Sequence, residues 1–119
     1  TKIDQIFNLN HINKFDIIID DGSHYLSDIL KSLNFFLKYL RDGGYYIIED
    51  FKHPNYYDYN KDINHIYVDD FLNNIKNKKI STSSIFSEID QNDLINSIKK
   101  IEFHKGNLSD SDICFIQKK

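Results

Sequence analysis

The segment from Phe15 to Asp50 restricts the fold most, because two short apolar runs flank a single helical stripe there. Ile17, Ile18 and Ile19 follow Phe15 and stop at Asp20-Asp21-Gly22. A β-branched run without polar alternation reads as a strand buried on both faces, the kind found in parallel sheets. Leu26, Ile29, Leu30, Leu33, Leu37 and Leu40 then recur at helical spacing, Phe36 widens the stripe, and Lys31, Asn34 and Lys38 fall on the other side. The spacing predicts an amphipathic helix from Tyr25 to Leu40. Ser23 is placed to cap it, Asp28 suits its first turn, Lys38 and Arg41 suit its last, and Gly43-Gly44 supplies a left-handed stop. Tyr45 to Ile48 make a second strand that stops at Glu49-Asp50. Strand, helix and strand within about 36 residues have the size of a right-handed βαβ unit.

Beyond Asp50 the pattern is less regular. His53 to Asp62 holds the only proline, Pro54, with Tyr56, Tyr57 and Tyr59, and reads as an aromatic loop. Val68 to Ile75 is a short helix started by Asp69 or Asp70, and Gln91 to Lys99 a second surface helix, with Ser81 to Ser84 as a polar break between them. Ile101 to Lys105, a turn over Gly106 to Asp110, and Ile113 to Ile116 form a terminal β-hairpin.

At 119 residues the chain has room for one domain. Nine Phe and eight Tyr give it more burial capacity than a disordered chain has. Its 15 basic and 18 acidic residues leave a net charge of -3, without the basic footprint of a nucleic-acid binder. No apolar stretch approaches a membrane span, and no signal-peptide pattern opens the chain, so no membrane partner is expected. The single cysteine, Cys114, sits in an apolar run and reads as a small core residue; a soluble protein of the reduced cytoplasm is the expectation. A homo-oligomer is compatible with all of this. The missing initiator Met suggests a start inside a longer protein.

The chemistry-bearing residues cluster where a parallel sheet places its sites, outside the carboxyl ends of the strands. Asp20, Asp21 and His24 follow the first strand, and Glu49 and Asp50 the second. Neighbouring strands lie roughly 5 Å apart, so these carboxylates can share one ion, and hard oxygen ligands suit Mg²⁺ or Mn²⁺. His24 would stand beside that ion as a general base. An acid pair after a strand also serves as an ordinary turn and cap, and His24 could simply pack at the helix start. Four acids at two adjacent strand ends shift the balance toward a cation, because they repel one another. His11, His53, His65 and His104 lack such a setting and read as surface residues. The tyrosines at 56, 57 and 59 fit a substrate-contacting lid or simple packing equally well.

Phe15-Asp16-Ile17-Ile18-Ile19-Asp20-Asp21-Gly22-Ser23-His24, followed by Leu40-Arg41-Asp42-Gly43-Gly44-Tyr45-Tyr46-Ile47-Ile48-Glu49-Asp50, resembles the central part of class I S-adenosylmethionine-dependent methyltransferases. Within them it is most similar to the metal-dependent sugar O-methyltransferases of macrolide and polysaccharide tailoring. The resemblance covers about Asp4 to Asp50, weakens from Lys52 to Lys100, and returns in the terminal hairpin. It implies an α/β, Rossmann-like fold, here its C-terminal half: a parallel βαβ unit plus a terminal antiparallel hairpin. It also implies Asp21, Glu49 and Asp50 as ligands of Mg²⁺ (or Mn²⁺), and His24 as catalytic base. Asp4, Gln5, Asp20 and Ser23 would lie on the side of S-adenosylmethionine, Asp4-Gln5 near the adenine. The implied activity is methyl transfer to a hydroxyl of a saccharide or similar small-molecule acceptor. The family holds its donor mainly through a Gly-rich turn after the first strand and an acid after the second, and neither occurs in these 119 residues. Residues 1–119 are therefore expected to be a single partial domain, unable to hold the donor alone. Two other readings share the acids: a non-catalytic fragment or pseudoenzyme that binds a cation or a partner, and a metal-assisted hydrolase.

Overall fold

The computed structural model describes residues 1–10, 14–60 and 65–119. His11 and the last two residues of the expected 53–62 loop lie outside them. Helix α1 (Lys2–Leu9) is followed by strand β1 (Phe15–Asp20), helix α2 (Leu26–Phe36), strand β2 (Leu40–Glu49) and a single helical turn, α3 (His53–Tyr56). Helices α4 (Val68–Lys76) and α5 (Glu88–Ser97) lead into the hairpin of β3 (Ile98–His104) and β4 (Ile113–Lys118). The four strands form one sheet in the order β1-β2-β4-β3. β1 and β2 are parallel, with Ile18 opposite Tyr46 and Asp20 opposite Ile48. β4 runs antiparallel to both β2 and β3.

The expected βαβ unit and terminal hairpin are therefore both present. Leu26, Ile29, Leu30 and Leu33 of α2 are buried, as the helical stripe requires. They join Tyr46, Ile48, Phe51, Phe71, Leu72, Ile101, Cys114 and Ile116 in one core on one side of the sheet, with Ile18 packed against it. Each fully buried Leu or Ile contributes about 1.5–3 kcal/mol, so the seam between α2 and the sheet is the main local source of stability. The buried thiol of Cys114 has its pKa pushed up to about 12 by desolvation, in keeping with a core residue.

Four local expectations are corrected. β1 is not buried on both faces: Ile17 and Ile19 are 57% and 60% exposed. Among the described residues the helices cover one face of the sheet, and the opposite face, with Tyr45, Ile47 and Phe115 beside Ile17, lines an open depression of about 390 Å³. Gly43-Gly44 does not stop α2, which ends at Phe36 and passes through a 3-10 turn, Leu37–Tyr39, into β2. Both glycines instead lie in β2, where the register jumps from Phe15 opposite Leu40 to Ile17 opposite Tyr45. Gly43 has φ +78°, and a Cβ on Gly44 would come within 2.6 Å of the Asp16 carbonyl oxygen. The close strand approach and the left-handed turn thus demand glycine here. Ser23 is not the N-cap of α2; that position is Tyr25, without a side-chain cap. The Ser23 hydroxyl accepts from the Tyr25 N–H at 3.3 Å and donates to Asp28 at 2.6 Å. Neither Asp69 nor Asp70 caps α4; its N-cap is Tyr67, and both acids lie in the first turn.

Candidate metal centre and active site

β1 and β2 are neighbours and parallel, so their carboxyl ends open on the same side. The turn after β1 begins with the Gly22 N–H donating to Asp20 Oδ1 at 3.1 Å. His24 then takes φ +62°, a left-handed conformation that costs a non-glycine residue roughly 1–2 kcal/mol. This bend carries its imidazole back toward the acids. Nε2 lies 3.2 Å from Asp21 Oδ1 and 3.5 Å from Asp50 Oδ2. Asp50 is itself left-handed, at φ +53°. Of the three non-glycine residues with positive φ among the described residues, two are therefore at this one site. Strain held at such a place marks a position fixed for its side chain.

One ligand atom from each of Asp21, His24 and Asp50 falls within a sphere where all are within 4.8 Å of one another. Glu49 is not one of that group, but its carboxyl meets Asp21 beside it. Its pKa is raised, first by the charge of Asp21, then by a hydrogen bond shared with Asp21, by partial desolvation and by Asp50; His24 acts in the opposite direction. A carboxyl whose pKa is raised chiefly by acidic neighbours sits among negative charge in excess of what the site balances. The donor set is oxygen-rich with one imidazole alongside, which fits Mg²⁺ or Mn²⁺.

Asp20 faces a different way. Burial raises its pKa, with the Gly22 N–H opposing, and its Oδ2 is buried without a hydrogen-bond partner. The Tyr46 hydroxyl is likewise buried without a partner, and burial and the charge of Asp20 raise its pKa. Asp20 and Ser23 line a depression of about 270 Å³ with Gly22, Asp28, Ile29 and Lys31.

The structure does not bring Asp4 and Gln5 to these acids. Asp4 closes a capping box with Thr1 on α1, and its carboxylate accepts from the Tyr39 hydroxyl and pairs with Lys38 at 3.2 Å. Lys38 and Tyr39 precede β2, so Asp4 sits at the opposite end of the strands from Asp21 and Asp50. Gln5 is exposed on the same helix.

The sequence reading missed His53. Its ring centroid is 5.4 Å from that of His24 and 4.2 Å from that of Tyr57, in a stacked arrangement. The signal was present: His53 follows Asp50 by three residues, just as His24 follows Asp21.

The α/β sheet, a parallel strand pair closed by an antiparallel hairpin, matches part of the fold of solved methyltransferase structures. Three solved structures of the MycE methyltransferase from the mycinamycin biosynthetic pathway share it. The chain matches the complex with Mg and SAH at a TM-score of 0.60 with 21% identity, covering 98% of this chain and 29% of that one. A second crystal form gives a TM-score of 0.60 at 22% identity, and the complex that also contains mycinamycin VI gives 0.59 at 21%. In sequence, 36 residues are 50% identical to the L-olivosyl-oleandolide 3-O-methyltransferase of Streptomyces antibioticus, which is 30% of this chain and 9% of that protein. No protein-family model matches the chain. The sequence likeness to an O-methyltransferase is confined to those 36 residues, the solved structures share the fold, and the chain spans less than a third of any of these proteins.

Proposed function

We propose that this chain is the metal-site part of an S-adenosylmethionine-dependent O-methyltransferase acting on a hydroxyl of a sugar or similar acceptor. The single observation that carries this reading is the convergence of His24 Nε2 on Asp21 and Asp50, at 3.2 and 3.5 Å, across the ends of two parallel strands. In such an enzyme Asp21, Glu49 and Asp50 hold the divalent cation. When bound, that cation supplies positive charge that lowers the pKa of an acceptor hydroxyl, and S-adenosylmethionine supplies the methyl group. His24 takes the hydroxyl proton at Nε2, the nitrogen that faces the acids. The left-handed backbone at His24 and Asp50 holds base and ligand in register, which is the positioning that in-line transfer requires. Asp20 and Ser23, which line the depression after β1, are the groups offered to the donor. Asp4, already committed to Thr1, Tyr39 and Lys38, is not counted among them, and neither is the exposed Gln5.

The remainder of the donor site belongs to further strands and helices beside β1. Supporting this, β1 is the edge of the sheet among the described residues, and its Ile17 and Ile19 point an apolar surface outward with nothing packed on it. Known relatives named for the same chemistry are more than three times as long as the matched region.

The test is a methyl-transfer assay with labelled S-adenosylmethionine and a macrolide glycoside, on the whole protein that contains this chain, with and without a chelator. Transfer that requires Mg²⁺ or Mn²⁺ is expected. Transfer undiminished by complete chelation removes the metal from the reading, and absence of any transfer removes the reading itself.

A further inference from the structure

The aromatic side chains after β2 form a surface that neither the core nor the acid site explains. The His53 N–H donates to the Asp50 carbonyl at 3.0 Å, which fixes the single turn α3 directly onto the end of the strand. From that turn the His53 ring stacks on Tyr57 at 4.2 Å and 25° between planes, and Tyr59 closes the group at 6.0 Å from His53 and 5.9 Å from Tyr57. The Tyr57 hydroxyl is tied to the Asp110 carboxylate in the turn between β3 and β4, and that bond raises its pKa. Two separate parts of the chain therefore hold these rings in place.

They are held open to solvent. Tyr57 is 39% exposed and Tyr59 68%, whereas Tyr46, Phe51 and Phe71 are fully buried. Rings recruited for packing lose their faces to the core; here His53 and Tyr57 turn one face to each other while the tyrosines, Tyr59 above all, stay exposed, and the cluster ends 5.4 Å from His24.

We propose that His53, Tyr57 and Tyr59 form the acceptor subsite, a platform that takes the C–H face of a saccharide ring. The inference rests on the methyl-transfer reading and deepens it by assigning the acceptor's place. An aromatic face carries partial negative charge and a ring edge partial positive charge. A pyranose presents weakly positive C–H groups on a face and hydroxyls around its edge, so seating the face on the tyrosines leaves edge hydroxyls free to reach His24 and the acids. A planar base or an organic cation could also lie on such rings, and each is an outcome of the test.

The experiment is saturation-transfer NMR on the full chain with methyl α-L-rhamnopyranoside as probe, irradiating aromatic protons. Adenosine and choline are run as competitors, and Mn²⁺ binding is followed separately by water relaxation. Transfer to ring C–H protons is expected, and Tyr59→Leu should weaken glycoside binding by about fivefold, within the range that one aromatic contact supplies. Tyr59→Leu keeps apolar bulk at an exposed position, and Tyr59→Phe, which retains the face, should bind as the parent does. Mn²⁺ affinity should be the same in all three. Unchanged glycoside transfer in Tyr59→Leu, no transfer in the parent, or displacement by adenosine or choline overturns the subsite. Glycoside binding lost in Tyr59→Leu, in a chain that binds no Mn²⁺, would leave the subsite standing and overturn the metal-site reading instead.

Discussion

β1 and β2 both end in an acid pair, and in each the second acid is followed three residues later by a histidine: Asp20-Asp21 with His24, and Glu49-Asp50 with His53. The two ends nevertheless fold differently. After β1 the left-handed residue is the histidine, which turns His24 back until Nε2 touches carboxylates from both strands. After β2 the left-handed residue is the acid, so the chain turns three residues earlier relative to the histidine and α3 carries His53 onto Tyr57. Moving one positive φ by three residues relative to the histidine converts a candidate base into part of an aromatic platform. A short motif therefore specifies which residues are available, and the backbone conformation beside it specifies what each does.

The strongest way to break this contrast is to remove each histidine in the whole enzyme. His24→Ala should lower turnover by about 10²–10⁴-fold, the usual worth of a general base, while Mg²⁺ affinity stays close to that of the parent because all three carboxylates remain. His53→Ala should leave the chemical step intact and act on acceptor KM. Comparable losses of turnover from both would make the two strand ends equivalent and end the assignment of His24.

The next effect concerns the acids. Asp50→Ala should weaken Mg²⁺ binding by about tenfold or more, equivalent to roughly 1.4 kcal/mol, as measured by titration calorimetry. An unchanged affinity would take Asp50 out of the ligand set.

A smaller effect sharpens the electrostatic side. The Glu49 carboxyl has a raised pKa in the folded chain, chiefly through Asp21, so the folded state binds its proton more tightly than the unfolded state does. Its contribution is therefore most favourable below the unfolded carboxylate pKa, and is lost as pH rises through the folded value. In metal-free protein, Glu49→Gln should raise the Tm at neutral pH, and the difference should fade below about pH 4, where both states of Glu49 are protonated. A variant less stable than the parent at neutral pH without metal would show that Glu49 does not sit in excess negative charge.

The smallest expected effect is on backbone strain. His24→Gly should be more stable than His24→Ala by about 1 kcal/mol in chemical denaturation, because only glycine adopts φ +62° without cost. Equal stability would place the bend elsewhere in the turn.

Much of the fold was legible where a periodic pattern and a large apolar area agreed. Leu26, Ile29, Leu30 and Leu33 declare a helical face at any register, and Ile113 to Ile116 and Ile101 to Phe103 declare paired strands. Legibility failed where the same residues serve two structures. Gly43-Gly44 satisfies a helix stop and a strand bulge equally well, and the Asp16 carbonyl, which leaves no room for a Cβ on Gly44, belongs to a strand nearly thirty residues earlier. Ile17 and Ile19 are as apolar as a doubly buried strand demands, and their exposure follows from the absence of a helical layer on that face among the described residues. At the site, Asp21, His24, Glu49 and Asp50 could be named from the motifs, because short spacing after two strands leaves few other arrangements. His53 carries the same three-residue spacing after an acid, but only its tertiary stacking on Tyr57 separates its place from that of His24.

By itself the sequence determined the parallel strand pair, the helix that joins them, the closing hairpin and the identity of the acids, because each depends on hydrophobic period and on turns that residues within a few positions dictate. Tertiary structure alone decided which face of the sheet is covered, which end of the strands Asp4 occupies, and which histidine meets the carboxylates. Those outcomes depend on strand register and on left-handed bends at His24 and Asp50. The bends are locally unfavourable, so no local propensity announces them, and they persist because contacts from the rest of the fold outweigh their cost.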